Sequence, residues 1–226
     1  MAIALDVASN SGLHSVSPYT WNHTVTGSQT LLIVGLEVFN NGLQPTTSSV
    51  TYNGVLMNRV VVQQNSNSTR FSEVSLWFLF APTTGTNVVS VTCTNISSSI
   101  AGAVSYTGAQ QSNVADATNK TFGTTNGTKT VTVTTVADNC WTIATAGNFS
   151  SSGSPITTPG NTVRWQPQTS GTGEDTNGPL TPAGNQNMIF TLDSTISVSH
   201  WEIVAASFAP FSLPTTNGAS LLQLML

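Results

Sequence analysis

Residues 49–64, SVTYNGVLMNRVVVQQ, decide the fold. The dipeptide Asn53-Gly54 lies between two runs rich in Val, Tyr and other strand-forming residues. Asn-Gly supplies the two positive-φ residues of a type I′ turn, which is the strongest short-range signal for a β-hairpin. This stretch therefore predicts two antiparallel strands joined by a tight turn.

The same rhythm continues on both sides of the hairpin, as short apolar or alternating runs separated by Gly, Pro, Asn and Ser clusters. The run at 29–39, QTLLIVGLEVF, is apolar almost throughout and predicts a central strand covered on both faces. The segment 108–129 is expected to be a long loop, and no helix of useful length is predicted. Further strands are predicted at 13–25, 71–80, 87–94, 99–107, 130–136, 139–146, 161–166, 187–193 and 199–208.

About eleven strands with long loops and no helix predict an all-β fold, specifically a two-sheet β-sandwich. The run at 199–208 has the apolar character of a central strand. A last strand deep in the structure favours a jelly-roll winding. We predict one sandwich domain over 1–208 and a C-terminal arm over 209–226.

The arm, APFSLPTTNGASLLQLML, ends in six residues of which five are apolar. Because a free apolar end is unfavourable in water, two placements are open: an edge strand on the same subunit, or an arm docked on a neighbouring chain. The chain has only two lysines to protect its sheet edges, which favours edges covered in a homo-oligomer. The predicted partner-binding residues are Pro210, Phe211, Leu213, Leu221, Leu222, Leu224, Met225 and Leu226.

Charge is scarce throughout the chain. Charged residues make up 6% of the sequence and the net charge is −4, against about a quarter charged residues in an ordinary soluble domain. Such a chain lacks the basic footprint that nucleic-acid binding requires, and no window reaches the ~20 apolar residues of a membrane helix. The opening MAIALDVASNSGLHSV has no features of a secretory signal, so the chain is expected to be kept in the cytosol, released by lysis, or a mature form whose signal was removed.

No set of residues predicts catalysis. His14 and His23 are nine positions apart, which places them on opposite faces of a regular strand and disfavours a shared metal. The motif Gly-x-Ser-x-Gly of hydrolases is missing from the sequence. Glu37, Glu73 and Glu202 lie in strand runs, where a sheet could bring two carboxyls together as in a glycosidase. Single hydrogen-bonded acids are the commoner arrangement.

Three remaining features each have two interpretations. Glu174-Asp175 is a local acidic loop, either a solvated turn or a Ca²⁺ ligand pair, although its spacing matches no Ca²⁺ loop. Cys93 and Cys140 lie inside strand runs, which favours two buried free thiols over a disulfide. Trp165, in a polar segment flanked by proline, is the tryptophan expected to be exposed, where it could stack on a glycan. We predict no catalytic, metal or cofactor site.

Four segments carry a shared pattern of strand motifs: VTYNGVLMNRVV (50–61), SEVSLWFLFAPTTGTNVVSVT (72–92), IAGAVSYTGAQQS (100–112) and WEIVAASFAP (201–210). Together they resemble a β-sandwich domain of tailed-phage virion proteins and bacterial surface proteins. The resemblance implies a sandwich fold and transfers no catalytic residue, because its motifs are strand-packing motifs. Bacterial surface members are exported, so the missing signal favours the phage group.

The function expected from this resemblance is that of a virion structural protein, in the simplest case a capsid decoration (cement) protein that binds between capsomers and stabilises the shell. Its expected partners are further copies of itself, as a trimer, and a major capsid protein or another virion protein. Nucleic acid and membrane are not expected as partners. The alternative is a carbohydrate-binding or adhesin module of a phage fibre or a bacterial surface. An enzyme is not expected.

Overall fold

The computed structural model describes residues 2–67, 69–111, 114–150, 156–157, 161–167, 170–192 and 198–212, with backbone alone at 149–150, 156–157 and 198–199. The all-β sandwich prediction is confirmed, since these residues contain strands and no helix. The strands are β1 (Ala4–His14), β2 (Tyr19–Val25), β3 (Leu31–Asn41), β4 (Thr46–Tyr52), β5 (Val55–Leu56), β6 (Asn58–Asn67), β7 (Arg70–Phe80), β8 (Gly85–Thr94), β9 (Ser98–Thr107), β10 (Ala117–Gly123), β11 (Gly127–Thr134), β12 (Trp141–Ser150), β13 (Ile156–Thr157), β14 (Thr162–Trp165), β15 (Gly171–Asp175), β16 (Asn185–Leu192) and β17 (Val198–Phe208).

The strands form four antiparallel sheets rather than the two expected. In the first half, β1 to β9, the inner sheet has the order β1-β9-β3-β7-β6 and the outer sheet the order β2-β8-β4-β5. In the second half, β10 to β17, the inner sheet is β10-β17-β12-β15-β14 and the outer sheet is β11-β16-β13. The two inner sheets pack face to face, and we call this contact the seam.

Part of one winding occurs in both halves. In the first half, the strands β1-β9-β3-β7 of the inner sheet lie opposite β2-β8-β4-β5 of the outer sheet, which is the strand order of an eight-stranded jelly roll with β6 added at one edge. In the second half, β10, β17, β12 and β15 take the places of β1, β9, β3 and β7, whereas the outer sheet has only the three strands β11-β16-β13. The jelly-roll order is therefore complete in the first half, and its inner sheet recurs in the second, a repetition that was not predicted from the sequence.

Alternation of side chains along each strand produces three apolar layers. Leu32, Val34 and Leu36 of β3 point into the first half, whereas Leu31 and Ile33 point into the seam. In β17, likewise, alternate residues face the seam and the outer sheet of the second half. Both inner sheets are thus covered on both faces, which explains the nearly continuous apolar runs of β3 and β17.

The Asn53-Gly54 hairpin is confirmed. Both residues have positive φ, 49° and 77°, and Tyr52 pairs with Val55 across the turn. The segment 108–129 differs from its expected loop, because β10 and the start of β11 lie within it. β10 (ATNKTFG) is a mostly exposed edge strand, so it carries no apolar alternation to detect. The division into a domain at 1–208 and an arm at 209–226 stays a prediction.

Candidate interaction surface

The predicted arm begins as part of the folded structure. Pro210 forms a bridge with Ala109, and the Phe211 amide donates a hydrogen bond of 2.7 Å to the Gly108 carbonyl. Both side chains are half-buried. The other predicted partner-binding residues lie outside the described residues: Leu213, Leu221, Leu222, Leu224, Met225 and Leu226.

An apolar cleft of about 330 Å³ lies beside this segment, at one end of the seam. Its walls come from the end of β7, the connection before β10, the residues after β11 and the end of β17. Phe208 is buried against Phe80, with ring centroids 6.2 Å apart. The residues around the cleft are Phe80, Gln110, Val114, Ala115, Asp116, Val136, Ala137, Phe208 and Ala209.

Asp116 fixes the shape of the cleft. Its carboxylate accepts hydrogen bonds from the amides of Val136 (2.8 Å) and Ala137 (3.0 Å) and from the hydroxyl of Ser207 (3.1 Å). Ionised acceptors make such bonds stronger than neutral ones. These hydrogen bonds connect the ends of the strands and leave the aliphatic side chain of Val136 exposed to solvent.

Asp6 makes the corresponding clamp in the first half. Its carboxylate accepts hydrogen bonds from the Thr26 amide (2.8 Å), the Thr26 hydroxyl and the Ser105 hydroxyl (2.7 Å). Partial burial raises the pKa of Asp6, but these bonds outweigh it and lower the pKa below its ordinary value. The same set of carboxylate hydrogen bonds therefore occurs at matching positions in both halves, which indicates a structural role rather than a binding site.

The predicted exposure of Trp165 is wrong. The side chain is only 4% exposed and lies in the seam. It fills a space left by glycines of both inner sheets: a Cβ at Gly102 or Gly173 would lie 2.1 Å from ring atoms, and one at Gly35 would lie 3.1 Å from them. A ring enclosed in this way presents no face to a sugar. The polar residues flanking Trp165 gave no hint of the distant glycines.

Four polar side chains meet at another part of the seam. Ser72 donates a hydrogen bond of 2.6 Å to Glu202 Oε1, and its hydroxyl lies 2.9 Å from His200 Nε2. All three are fully buried. In a catalytic triad the histidine links the serine to the acid, whereas here the serine lies between the other two. The arrangement is that of a buried structural network.

Glu37 is the fourth member and makes this part of the seam acidic. It lies over two glycines, since a Cβ at Gly147 would be 2.9 Å from its Cδ and one at Gly171 would be 2.7 Å from its Oε2. Burial raises the pKa of Glu37 well above its usual range, and the charge of Glu202 raises it further. Burial also raises the pKa of Glu202 to about 8. Burial in the seam therefore favours the neutral form of both acids.

Glu174 and Asp175 are buried in β15 and not in a solvated turn, so that interpretation is wrong. Asp175 accepts hydrogen bonds of 2.7 Å from both Tyr106 and Arg164, which links the two halves across the seam. Burial raises the pKa of Glu174 to about 9, with a further contribution from the charge of Asp175. A neutral Glu174 is a poor ligand for Ca²⁺.

The histidines and cysteines occupy separate places. His14 ends β1 and stacks on Tyr19, whereas His23 lies in β2 with its Nδ1 2.8 Å from Ser9 Oγ. Both cysteines are buried and free, as predicted.

No group of three or more potential metal ligands occurs in the described part of the chain, and none of its segments is a helix long and apolar enough to cross a membrane.

Comparisons of the chain with protein-family models, curated proteins and solved structures find no match. The resemblance to phage and bacterial surface domains therefore rests on the segment motifs alone. Of what that resemblance implies, the β-sandwich fold is shown.

Proposed function

We propose that the protein is a structural component of a virion, in the simplest case a capsid decoration protein that binds between capsomers. The observation that carries the proposal is the separation of its polar groups. Five of its acids, together with His200, are buried inside the protein, and the outside carries few charges. Such a subunit is suited to holding neighbours through extended contact.

The outer sheet of the second half illustrates this surface. Thr132 and Thr134 of β11 donate hydrogen bonds of 2.7 Å to Asn187 and Asn185 of β16. In this ladder the threonine hydroxyls bond to the asparagine side-chain oxygens, and none of the four side chains is charged. An uncharged, internally bonded face has a low cost of desolvation when another protein covers it.

The jelly-roll winding supports the same class of role by analogy. Jelly rolls occur in viral capsid proteins and in lectins, and fold alone does not decide between the two. The lectin alternative was expected to use Trp165 together with the Asn/Gln/Thr-rich loops of 147–185, and it loses its aromatic platform because Trp165 is buried. Many weak symmetric contacts add up on a shell through multivalency, so modest affinity at each copy is sufficient.

Virus particles purified from cells that produce this protein test the proposal. We expect the protein to band with intact particles in a density gradient at tens to hundreds of copies, as multivalent attachment implies. Chains ending at residue 212 should fold normally and fail to join the particles. Detection of the protein only in the unassembled fraction, with none on particles, would refute the proposal. Native mass measurement of the free protein tests the expected trimer.

A further inference from the structure

The two most exposed large apolar side chains of the described residues lie at one cleft. Val136 is 76% exposed and Val114 is 69% exposed. Both border the cleft whose inner wall includes Phe80 and Phe208. Adjacent exposed apolar side chains above an apolar wall are typical of a binding surface.

The cleft lacks a free charge to attract a polar ligand. Asp116 is its one ionisable residue, and that carboxylate is already bonded to Val136, Ala137 and Ser207. The remaining lining is apolar except for Gln110. An aliphatic segment therefore fits this cleft better than an ionic one.

We propose that residues 221–226, LLQLML, of the same chain occupy this cleft in the free subunit. The last described residues start at its edge, since Ala209 lines the cleft and Phe211 is bonded to Gly108. Residues 213–220 provide eight residues of connection, which span up to about 28 Å when extended. Pro214 and Asn217-Gly218 are turn formers that allow the chain to reverse.

Attachment on the same chain favours this occupant over a neighbour's tail. A short connection gives the tail an effective concentration on the order of millimolar at its own cleft. The tail of a second copy reaches a comparable concentration at the cleft only in a concentrated assembly. Covering the cleft also removes the apolar side chains of the tail from water.

The inference concerns the isolated subunit, and it rests on the proposed function only for the use of the tail. A capsid site that binds the tail more tightly than the cleft does would take it up during assembly. Failure of particle binding would leave the cleft contact intact, and failure of the cleft contact would leave particle binding intact.

Disulfide trapping in the full chain tests the contact. The variant Val136→Cys with Leu222→Cys is oxidised mildly, and the linked peptides are identified by mass spectrometry. We expect a link within one chain whose yield is unchanged over a roughly hundredfold dilution, because the reaction is intramolecular. The native Cys93 and Cys140 are buried and should not compete.

The matched control is Val16→Cys with Leu222→Cys. Val16 is 67% exposed and follows β1, whose other end lies near the cleft through the pairing of Ala4 with Thr107. β1 contains two register shifts and pairs with β9 from Thr107 to Ser99, a rise of eight residues that places this control roughly 27 Å away. Equal yields at the two positions would overturn the proposal, and so would links formed only between chains.

Polar substitution provides an independent measurement. Val114→Asn with Val136→Asn changes only exposed side chains, so the fold should be unaffected. We expect carboxypeptidase to remove residues 221–226 about tenfold faster than from the unmodified chain, which corresponds to about 1.4 kcal/mol of lost contact. Val16→Asn should leave the rate unchanged. An unchanged rate in the double variant would contradict the proposal.

Discussion

Replacing Trp165 by alanine should remove a large part of the stability of this protein. The side chain is 4% exposed and lies between the two inner sheets. A buried tryptophan removes about 150–250 Å² from water, which at about 25 cal/mol per Å² is worth about 4–6 kcal/mol. Measured large-to-small substitutions of Trp and Phe cost about 3–5 kcal/mol. We expect a loss of about 4 kcal/mol in unfolding free energy.

Equilibrium unfolding in urea measures this loss as a shift of the midpoint with little change in slope. The neighbouring Val163→Ala is the matched control. Val163 is 40% exposed on the same strand, and its truncation should cost under about 1 kcal/mol. A similar small cost for Trp165→Ala would refute the placement of the ring in the seam.

A double-mutant cycle makes the test specific for the seam. Gly102→Ala alone should be destabilising, because its Cβ would lie 2.1 Å from the Trp165 ring and Gly173 blocks movement on the other side. In the Trp165→Ala background, the same methyl enters an empty space and should cost little. We expect a coupling energy of at least about 1 kcal/mol. Additive effects would contradict the packing described here.

Further predictions concern pH, the seam glycines and the cleft. Because the pKa of Glu202 is about 8 in the folded protein against an ordinary value of 4.5, its contribution to stability is complete below about pH 4.5 and is lost as pH rises through 8. Urea unfolding from pH 5 to 9 should show the decline, and Glu202→Gln should make it smaller, with the remainder due to Glu37 and Glu174, whose pKa values are also raised. Gly147→Ala should cost about 1–3 kcal/mol, seen as a lower melting temperature, because its Cβ meets Glu37 at 2.9 Å. Asp116→Ala leaves two backbone amides without their acceptor and should cost about 1–3 kcal/mol, with faster hydrogen exchange at Val136 and Ala137.

Local signals predicted the strands well where one residue pattern determined them. The Asn53-Gly54 turn needed only two adjacent residues, and the run at 29–39 needed only its unbroken apolar character. β10 was missed because an exposed edge strand requires no apolar face. The recurrence of the inner-sheet order left only a weak trace, such as AVSY at 103–106 and AASF at 205–208, which occupy matching places in β9 and β17.

The site was harder to predict because its residues come together only through packing. Trp165 is buried by glycines far away in the sequence. Val114 lay in a predicted loop and Val136 at the end of a predicted strand, and only the Asp116 clamp places them around one cleft. Whether an acid is buried or solvated likewise depends on its partners in the fold. Asp175 is buried with two hydrogen-bond donors, Tyr106 and Arg164, which no local pattern indicated.

The face-to-face contact of the inner sheets has a consequence for either half taken by itself. A fragment of residues 1–107 alone would expose a broad apolar surface to solvent, including Leu31, Ile33 and Leu76, together with the carboxyl group of Glu37. Such a fragment would bury that surface by forming a dimer with a second copy about a two-fold axis. In the intact chain the second half covers this surface and is covalently attached to the first, so the contact between the inner sheets does not depend on protein concentration.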